Sequence, residues 1–344
     1  MKDLIIEKAG KEAYKYFFKY IDIESDKTFV ISTTNVFNIL NNNNKFSSLI
    51  NLSRTNDIRF INKFFESVNS KLNNGDIFIG CFETISSRML RLPVGKIPVI
   101  GHLYFGIEFF FNRISPKTIG LKKIYFLLTR GRNRLLSKAE VLGRLVCCGF
   151  DIIDYQQING LTYFVTKKIN EPVFDMNPSY GALYKMPRIG KDGKIIGVYK
   201  LRTMHPYAEY LHSFILKNNG YSETGKPAND FRLTPWGKFM RRYWLDELPQ
   251  LINVLKGELK LVGVRPISQR YFQDIPKDLQ ELRLKQKPGC IPPYVALNRK
   301  GNVKSVLQAE REYLEEATLH PYTTDVKYLF NAAFNIIFKR KRSA

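Results

Sequence analysis

The pattern of hydrophobic and polar positions predicts alternating helices and strands in the first half of the chain. Apolar residues recur at helical spacing in two segments, 56–72 and 137–150, and Ser137 occupies the N-cap position of the second. Short apolar runs bounded by turn residues indicate three buried strands, at 28–35, 75–84 and 161–168. Because helices alternate with strands, we expect an α/β layer structure here.

The order of these elements resembles a known arrangement. A strand at 75–84, a helix that ends in Gly149 and Phe150, and a strand at 161–168 follow one another. This order resembles the second half of a Rossmann-like methyltransferase domain in degenerate form. The glycine-rich cofactor loop of that family is missing, because no G-x-G follows the first strand. We therefore predict that residues 1–170 form a non-catalytic α/β domain.

The second half begins with a basic segment, which follows a linker at 170–181 that contains Pro and Gly. The sequence "GKDGK" is a β-turn pattern with Gly193 at the position of positive φ, so its flanks are predicted to form a hairpin. Lys200 and Arg202 lie on one face of the second strand, which suits a diphosphate, and Lys191 in the turn adds a third cation. A solvated basic hairpin without a ligand is the alternative.

Aromatic and aliphatic residues in 207–217 form one helical stripe. The stripe predicts a helix that faces the protein core. An interfacial membrane helix is the alternative, because aromatic and cationic residues mix in this segment. We place the segment in a second domain that comprises residues 171–344.

Residues 244–266, "WLDELPQLINVLKGELKLVGVRP", contain two adjacent carboxylates, Asp246 and Glu247. Apolar residues follow at i, i+3, i+4 and i+7, which predicts one buried helix face: Leu248, Leu251, Ile252 and Leu255. Pro249 suits the first helical turn, an acid before it would cap the helix, and Lys256 with Gly257 would end it. One acid is enough for capping, so the pair is either a cap with a solvated neighbour or a catalytic pair. Nearby arginines are expected to lower the pKa of both acids.

The net charge restricts the partners. The 344 residues include 54 Lys and Arg against 31 Asp and Glu, a formal net charge of +23. Such a surface favours nucleic acid, an anionic membrane or phosphorylated substrates, and we find no nucleic-acid recognition motif. The four cysteines and four histidines are scattered, so we expect neither a zinc site nor a disulfide framework, as suits a reducing cytosol. The longest apolar run, 97–111, is too short to span a bilayer, and we predict no transmembrane helix.

Four motifs in the second half carry a family resemblance. In chain order they are "YKMPRIGKDGK", "YKLRTM", "DFRLTPWGKFMRRYWLDELPQLINVLKGELKLVGVRP" and "KQKPG". Their order resembles the bacterial sugar transferase family of monotopic phosphoglycosyl transferases, over residues 181–344. The resemblance implies an α+β catalytic domain that moves a sugar 1-phosphate from a nucleoside-diphosphate sugar to polyprenyl phosphate. It also implies a phosphosugar–aspartate intermediate and a role at the start of capsular, exopolysaccharide or lipopolysaccharide synthesis.

The resemblance also assigns roles to residues. By match, Asp246 is the nucleophile and Glu247 is the ligand of Mg²⁺. A carboxylate that attacks a diphosphate needs a metal ion and basic side chains to neutralise the phosphates. Arg241, Arg265 and Pro266 occupy positions where the family binds its substrate. The sequence departs from the family at Val264, which replaces the first Pro of Pro-Arg-Pro, and at 290–301, "CIPPYVALNRKG".

The membrane attachment expected of the family is altered here. Family members carry an apolar re-entrant helix just before the basic hairpin. At this position the present chain has a predicted strand and the 170–181 linker. We therefore expect peripheral binding to anionic lipid at the cytoplasmic face of the bacterial inner membrane. The last helix, with Phe330, Phe334 and Ile337 on one side and the basic tail 339–342 after it, suits such a surface. A catalytically weak scaffold that binds nucleotide sugar for a polysaccharide assembly complex is the alternative function, and homo-oligomerisation is left open.

Overall fold

The computed structural model describes residues 1–42, 44–97, 99–118, 120–174, 181–220, 227–299 and 302–339. The described residues form two compact units. The first is built from Met1–Tyr180, His205–Gly220 and Pro227–Arg232, and the second from Gly181–Met204 and Leu233–Ala344. The chain thus leaves the first unit, enters the second, and returns to the first before it completes the second.

The first unit is built around a five-stranded sheet of order β1-β2-β3-β5-β4. The strands are β1 (Thr28–Ile31), β2 (Phe46–Arg54), β3 (Leu72–Phe82), β4 (Phe150–Ile158) and β5 (Leu161–Lys168). The first three strands are parallel, and β5 is antiparallel to both of its neighbours. The three strands predicted from apolar runs are confirmed as β1, β3 and β5.

The first unit contains nine α-helices among its described residues. They are α1 (Lys2–Ala9), α2 (Lys11–Phe18), α3 (Phe37–Leu40), α4 (Ile61–Lys71), α5 (Ile85–Arg91), α6 (Ile100–Phe109), α7 (Leu121–Thr129), α8 (Lys138–Cys147) and α9 (His212–Asn219). Of these, α1 and α2 pack on one face of the sheet and α4 and α8 on the other. Adjacent residues of β3 point to opposite faces, so Phe78 joins a core with α4 and α8, and Ile79 joins a second core with α1 and α2. The predicted cap is present, since the Ser137 side chain accepts a hydrogen bond from the Glu140 amide.

The 207–217 stripe belongs to the core of the first unit. Leu211 and Ile215 are fully buried in the core with α4 and α8, and Phe214 packs against it. The predicted core-facing helix is confirmed in α9 and the turn before it. The alternative of an interfacial membrane helix is wrong for this segment, because its apolar residues are already covered.

The second unit is α+β. Its strands are β6 (Leu183–Ile189), β7 (Ile195–Leu201), β8 (Lys260–Val262) and β9 (Gly289–Ile291). Its helices are α10 (Pro235–Arg242), α11 (Gln250–Leu255), α12 (Gln269–Asp274), α13 (Lys277–Leu284), α14 (Pro293–Ala296), α15 (Val303–Leu319) and α16 (Pro321–Ile337). The predicted hairpin is confirmed, since β6 and β7 are antiparallel and Asp192 and Gly193 both have positive φ in the turn. The expected combination of an α/β unit with an α+β unit is therefore confirmed.

Helix α11 corrects the prediction of a buried apolar face. Leu248 is 56% exposed and Leu255 is 89% exposed, whereas the polar residues Gln250 and Asn253 are buried. The Asn253 amide explains this orientation, because it donates to the Gly197 carbonyl (2.8 Å) and accepts from the Tyr199 amide (3.0 Å), both on β7. The spacing of the apolar residues correctly identified the apolar side of the helix, but it could not show whether that side is buried or exposed.

The predicted acidic cap of this helix is also wrong. No side chain caps the start of α11, and Asp246 and Glu247 lie in a separate 3-10 turn, Leu245–Glu247, before Pro249. The other end agrees with the prediction, since Gly257 has φ of 71° directly after Lys256. Neither carboxylate therefore caps α11.

Two observations bear on membrane contact. No helix in the described part of the chain has both the length and the apolarity needed to cross a bilayer. On α16, Phe330, Phe334 and Ile337 are exposed, as the pattern predicted. Of the basic tail, only Lys339 is among the described residues; 340–342 lie outside them.

Candidate active site around Asp246 and Glu247

A short irregular connection places the acidic pair. Thr234 is the N-cap of helix α10, where its side chain accepts a hydrogen bond from the Gly237 amide (3.0 Å), and Pro235 suits the first turn. After α10 ends, Trp244 adopts a left-handed conformation with φ of 54°, which is uncommon for a residue with a side chain. This conformation redirects the chain into the 3-10 turn that carries Asp246 and Glu247. Unusual backbone of this kind is often found at functional sites.

Glu247 is held by two cations. Its Oε1 lies 2.8 Å from Lys200 Nζ and also accepts a hydrogen bond from Arg265. Burial alone would raise the pKa of Glu247, but Arg265 and Lys200 outweigh it and hold this pKa below its usual range. The predicted lowering is confirmed for this residue, which is ionised at neutral pH.

Asp246 has a different environment. Its side chain is almost fully buried, and no hydrogen bond from another described side chain reaches its carboxylate. Burial raises the pKa of Asp246, and the neighbouring charge of Glu247 adds to the increase, while Lys200 and Arg241 oppose it. The predicted lowering is therefore wrong for Asp246, because desolvation exceeds the effect of the cations. A more basic and unpaired carboxylate is the better nucleophile of the two.

Three of the predicted cations act on the pair, and a fourth contacts Tyr184. Lys200 and Arg265 bind Glu247 directly. Arg241 is oriented by a hydrogen bond from its Nε to Thr203 Oγ1 (2.9 Å) and lowers the pKa of Asp246. Arg202 lies over the ring of Tyr184 at 5.1 Å. Together they give the site an excess of positive charge, which suits a substrate with several phosphate charges.

The remaining two predicted residues are placed differently. Lys191 lies in the hairpin turn, at the opposite end of β7 from Lys200, and the neighbouring Gly193 approaches Leu284 of α13. Pro266 is buried in the loop directly after Arg265. It has no donor of its own and fixes the direction of the chain beyond this arginine.

Sequence reasoning missed residues that support the site. Tyr184 pairs with Lys200 across the hairpin, and burial raises its pKa while Arg241 and Arg202 oppose the increase. The register of the hairpin is the signal that could have identified Tyr184. Arg283 donates to the carbonyl of Arg265 and forms a buried ion pair with Glu310. No local signal identifies this pair, because its residues come from α13 and α15.

Glu247 is part of the lining of an apolar groove. The groove has a volume of about 300 Å³. Its lining consists of Tyr243, Trp244, Glu247, Leu248, Leu251, Leu261, Cys290, Ile291, Pro292, Val295 and Ile336. Among these described residues Glu247 is the sole charged one, and burial together with the nearby charge of Glu247 raises the pKa of Cys290 to about 11. The 290–301 segment that departs from the family thus contributes one wall of the groove.

The residues present fit a magnesium ion only if the substrate supplies further ligands. Both hydrogen bonds that Glu247 accepts from cations are on Oε1, and among the described residues none donates a hydrogen bond to Oε2. Carboxylate oxygens are the ligands that Mg²⁺ prefers, and protein sites commonly combine one or two of them with substrate phosphates. In the described part of the chain no group of three or more His, Cys, Asp or Glu side chains could hold a metal ion. Glu247 and the phosphates of a substrate would therefore share the ion.

The α+β unit thus holds two adjacent carboxylates with different surroundings, and Glu247 is the one held among basic side chains. Residues 172–339 match the model of a family described as bacterial sugar transferase. These residues of the C-terminal half therefore match this family, which confirms the resemblance found in the four motifs.

Curated relatives support the same assignment. A galactosyl transferase of Streptococcus agalactiae is 40% identical over 111 residues, 31% of this chain and 24% of the relative. The undecaprenyl-phosphate galactose phosphotransferase of Salmonella typhimurium is 38% identical over 117 residues, again 31% and 24%. The UDP-glucose:undecaprenyl-phosphate glucose-1-phosphate transferase of Escherichia coli is 32% identical over 161 residues, 44% and 32%. The chain thus spans about a quarter to a third of the length of these relatives.

Proposed function

We propose that this protein is a phosphoglycosyl transferase that moves a sugar 1-phosphate from a nucleoside-diphosphate sugar to polyprenyl phosphate, at the start of bacterial polysaccharide synthesis. The main observation in support is the contrast between the two carboxylates. Asp246 is buried, with a raised pKa and no side-chain partner, and Glu247 beside it is bound by Lys200 and Arg265. One carboxylate is free to react, and the other organises the cations.

The first step is a displacement at phosphorus. A carboxylate oxygen of Asp246 attacks the phosphorus that carries the sugar, and the bond from this phosphorus to the bridging oxygen breaks. The nucleoside monophosphate leaves with the bonding electron pair, and the sugar phosphate remains on Asp246 as an acyl phosphate. Arg241, Lys200 and Arg265 reduce the repulsion between the carboxylate and the phosphates.

The second step reverses the roles. A phosphate oxygen of polyprenyl phosphate attacks the same phosphorus, and the bond to Asp246 breaks. The aspartate leaves as a carboxylate, and the product is a polyprenyl diphosphate sugar. The two displacements let the donor and the acceptor use one site in turn, because Asp246 holds the sugar phosphate between the two steps.

Magnesium has a supporting place in this proposal. When bound, Mg²⁺ would neutralise phosphate charge and hold the leaving group in position. Glu247 is the residue that would hold it, through the carboxylate oxygen that the basic side chains leave open. Lys200 and Arg265 keep that carboxylate ionised and fix its orientation.

The groove beside Glu247 suits the lipid acceptor. Its walls are apolar except at Glu247, where the phosphate of the acceptor would meet the cations. The exposed leucines of α11 continue this apolar surface outward. We place the protein peripherally at the cytoplasmic face of the inner membrane, with an anionic lipid surface as its partner.

The test is a turnover assay with candidate donors. Purified protein with Mg²⁺ and polyprenyl phosphate is incubated with a panel of labelled nucleoside-diphosphate sugars. We expect release of nucleoside monophosphate and transfer of label to lipid with at least one donor. Donor binding without release of the nucleotide, across the panel, would contradict the proposal and favour the nucleotide-sugar-binding scaffold.

A further inference from the structure

Two helices of the first unit expose apolar faces. On α6 and the π-helical turn after it, Ile100, Leu103, Ile107 and Phe110 are exposed, and on α7 Ile124, Leu127 and Leu128 are exposed. Leu127 is 79% exposed and Leu128 is 67% exposed. Their spacing places each set on one side of its helix, while Phe105 on α6 and Tyr125 on α7 are buried. We call these seven exposed residues the α6–α7 surface.

The two helices are connected structurally as well as by sequence. The rings of Phe111 and Tyr125 lie 5.4 Å apart, edge to face, and the Tyr125 hydroxyl donates to Asn112 Oδ1. Single exposed apolar residues are common on soluble proteins, but rows of them on neighbouring helices mark an interaction surface. The chain between Glu83 and Glu140 therefore contains apolar surface that the described residues leave uncovered.

Charge indicates the kind of partner. Glu108 is the sole acidic residue in the sequence between Glu83 and Glu140, and it is buried in an ion pair with Arg88. Basic residues flank the exposed side of α7 and, with Leu127 and Phe126, line a cavity of about 680 Å³: Arg59, Lys122, Lys123 and Arg130. An apolar surface with a basic rim is complementary to a bilayer that contains anionic lipid.

A second cavity next to α7 has room for a phosphate group. It has a volume of about 460 Å³. The basic residues in its lining are Arg59, Lys63, Lys117, Lys122, Arg134 and Arg144, and Glu140 is the sole acid among its described lining residues. Glu140 binds Arg113, Lys117 and Arg144, so among the described residues three basic side chains share this one carboxylate. A bound anion would offset positive charge on these side chains.

We propose that the α6–α7 surface binds the anionic phospholipid bilayer, with its apolar residues at the acyl boundary and a lipid headgroup phosphate in the basic cavity beside α7. This inference rests on the proposed function in one respect, that the acceptor is a membrane lipid. It assigns membrane attachment to the first unit.

The experiment measures vesicle binding by the full chain. Protein is sedimented with vesicles of phosphatidylcholine alone or with added phosphatidylglycerol. The variant Leu127→Asp/Leu128→Asp removes apolar contact, and Phe18→Asp/Phe37→Asp is a matched control at exposed apolar residues elsewhere in the first unit. We expect the first variant to lose at least about tenfold in affinity for the anionic vesicles and the control to bind as wild type. Equal binding by both variants would overturn the proposal.

Two further measurements separate the sources of the anion and of the apolar partner. Lys122→Ala/Lys123→Ala should weaken binding to anionic vesicles, whereas Lys15→Ala/Lys19→Ala should not. If inorganic phosphate binds the cavity but neither the leucine nor the lysine variant changes vesicle binding, the cavity serves a soluble anion and the proposal fails. If the leucine variant changes only the oligomeric state, the surface joins two copies of this chain and the proposal also fails.

Two further measurements complete the test: the depth of insertion into the bilayer, and the release of nucleoside monophosphate from the donor. Leu127→Trp should show fluorescence that brominated lipids quench, and an absence of quenching would contradict insertion. Release of nucleoside monophosphate from the soluble donor should remain in Leu127→Asp/Leu128→Asp. Failure of vesicle binding with donor chemistry intact thus overturns this inference alone, and failure of donor chemistry with vesicle binding intact overturns the proposed function alone.

Discussion

Asp246 and Glu247 are neighbours in the sequence, yet their surroundings shift their pKa values in opposite directions. Burial raises the pKa of Asp246, and Arg265 with Lys200 overcomes burial to lower the pKa of Glu247. Such a division is typical of sites in which two similar groups have different roles. Under the proposed function, Asp246 reacts with the donor and Glu247 organises the surrounding charge.

The pH dependence of donor cleavage follows from the Asp246 environment. The reactive form is the carboxylate, so activity is expected to fall as pH falls through the raised pKa of Asp246. Lys200 opposes that increase, so Lys200→Met should raise this pKa further and move the acid limb of the profile to higher pH. Lys256→Met, at an exposed amine that contacts Tyr199, is the control. An acid limb that stays in place in Lys200→Met would contradict the electrostatic account.

The role assigned to Glu247 predicts a change in metal dependence. Glu247→Gln removes the charge that would hold Mg²⁺, so residual activity should require a much higher Mg²⁺ concentration, by about tenfold or more. The measurement is a titration of nucleotide release against Mg²⁺. Wild-type dependence on the metal would exclude Glu247 as its ligand.

At this scale the sequence identified the acidic pair and its arginines through local motifs, but only one of the two pKa directions. The direction for Asp246 depends on burial, which residues distant in the chain create. Tyr184 could be identified only through the register of the hairpin, and the Arg283–Glu310 ion pair depends on the packing of two helices.

Helix α11 packs with its amphipathic pattern inverted. Its polar side, through Asn253, is bound to β7, and its leucines are exposed. Because β7 carries Lys200 and α11 follows Glu247 directly, Asn253 helps to set the separation of these two charged residues. The exposed leucines then border the groove that we assign to the acceptor.

Substitutions on the two sides of α11 should have opposite costs. Asn253→Ala leaves partly buried backbone groups of Gly197 and Tyr199 without their partner, and we expect a loss of about 1–3 kcal/mol of unfolding free energy. Leu255→Ala should change it by less than about 0.5 kcal/mol, because the side chain is exposed. The two Trp residues are both in the second unit, so denaturant unfolding followed by their fluorescence measures this. A large loss in Leu255→Ala would show that the leucine face is buried after all.

Elements were predictable where a local signal is sufficient. The turn chemistry around Gly193 determines the β6–β7 hairpin, and the apolar spacing of α4 and α8 determines which of their sides is buried. Periodicity alone could not determine what covers an apolar side. The same pattern predicted a buried apolar side for α9 and for α11, and the prediction is correct for α9 and wrong for α11. Strands β2 and β4 mix polar and apolar residues and gave a weaker pattern.

The whole molecule combines a formal charge of +23 with two units that the chain enters more than once. The charge predicted a polyanionic partner. Some of the basic residues that create this charge lie around Asp246 and Glu247 in the second unit. The return of His205–Gly220 to the first unit could not be predicted, because it depends on a match between Leu211, Ile215 and a core formed far earlier in the chain.

The salt dependence of membrane binding tests the balance of charge and apolar contact in the full chain. Exposed charges are screened beyond a Debye length of about 10 Å at 0.1 M salt, so high salt should weaken binding to anionic vesicles. Apolar contact persists in salt, so we expect part of the wild-type protein to stay bound, whereas Leu127→Asp/Leu128→Asp should be released fully. Sedimentation over a salt series measures both. Complete release of wild type and variant at the same salt concentration would contradict an apolar contribution.

The central claim is that Asp246 becomes covalently loaded, and intact-protein mass spectrometry tests it most directly. The protein is incubated with Mg²⁺ and a nucleoside-diphosphate sugar that supports turnover, without lipid acceptor, and polyprenyl phosphate is then added. We predict a mass increase of one sugar phosphate that maps to Asp246 and disappears on addition of the acceptor. Asp246→Asn should show neither adduct nor turnover, and Asp192→Asn in the exposed hairpin turn should behave as wild type. Turnover at the wild-type rate in Asp246→Asn, without an adduct in either protein, would contradict the account.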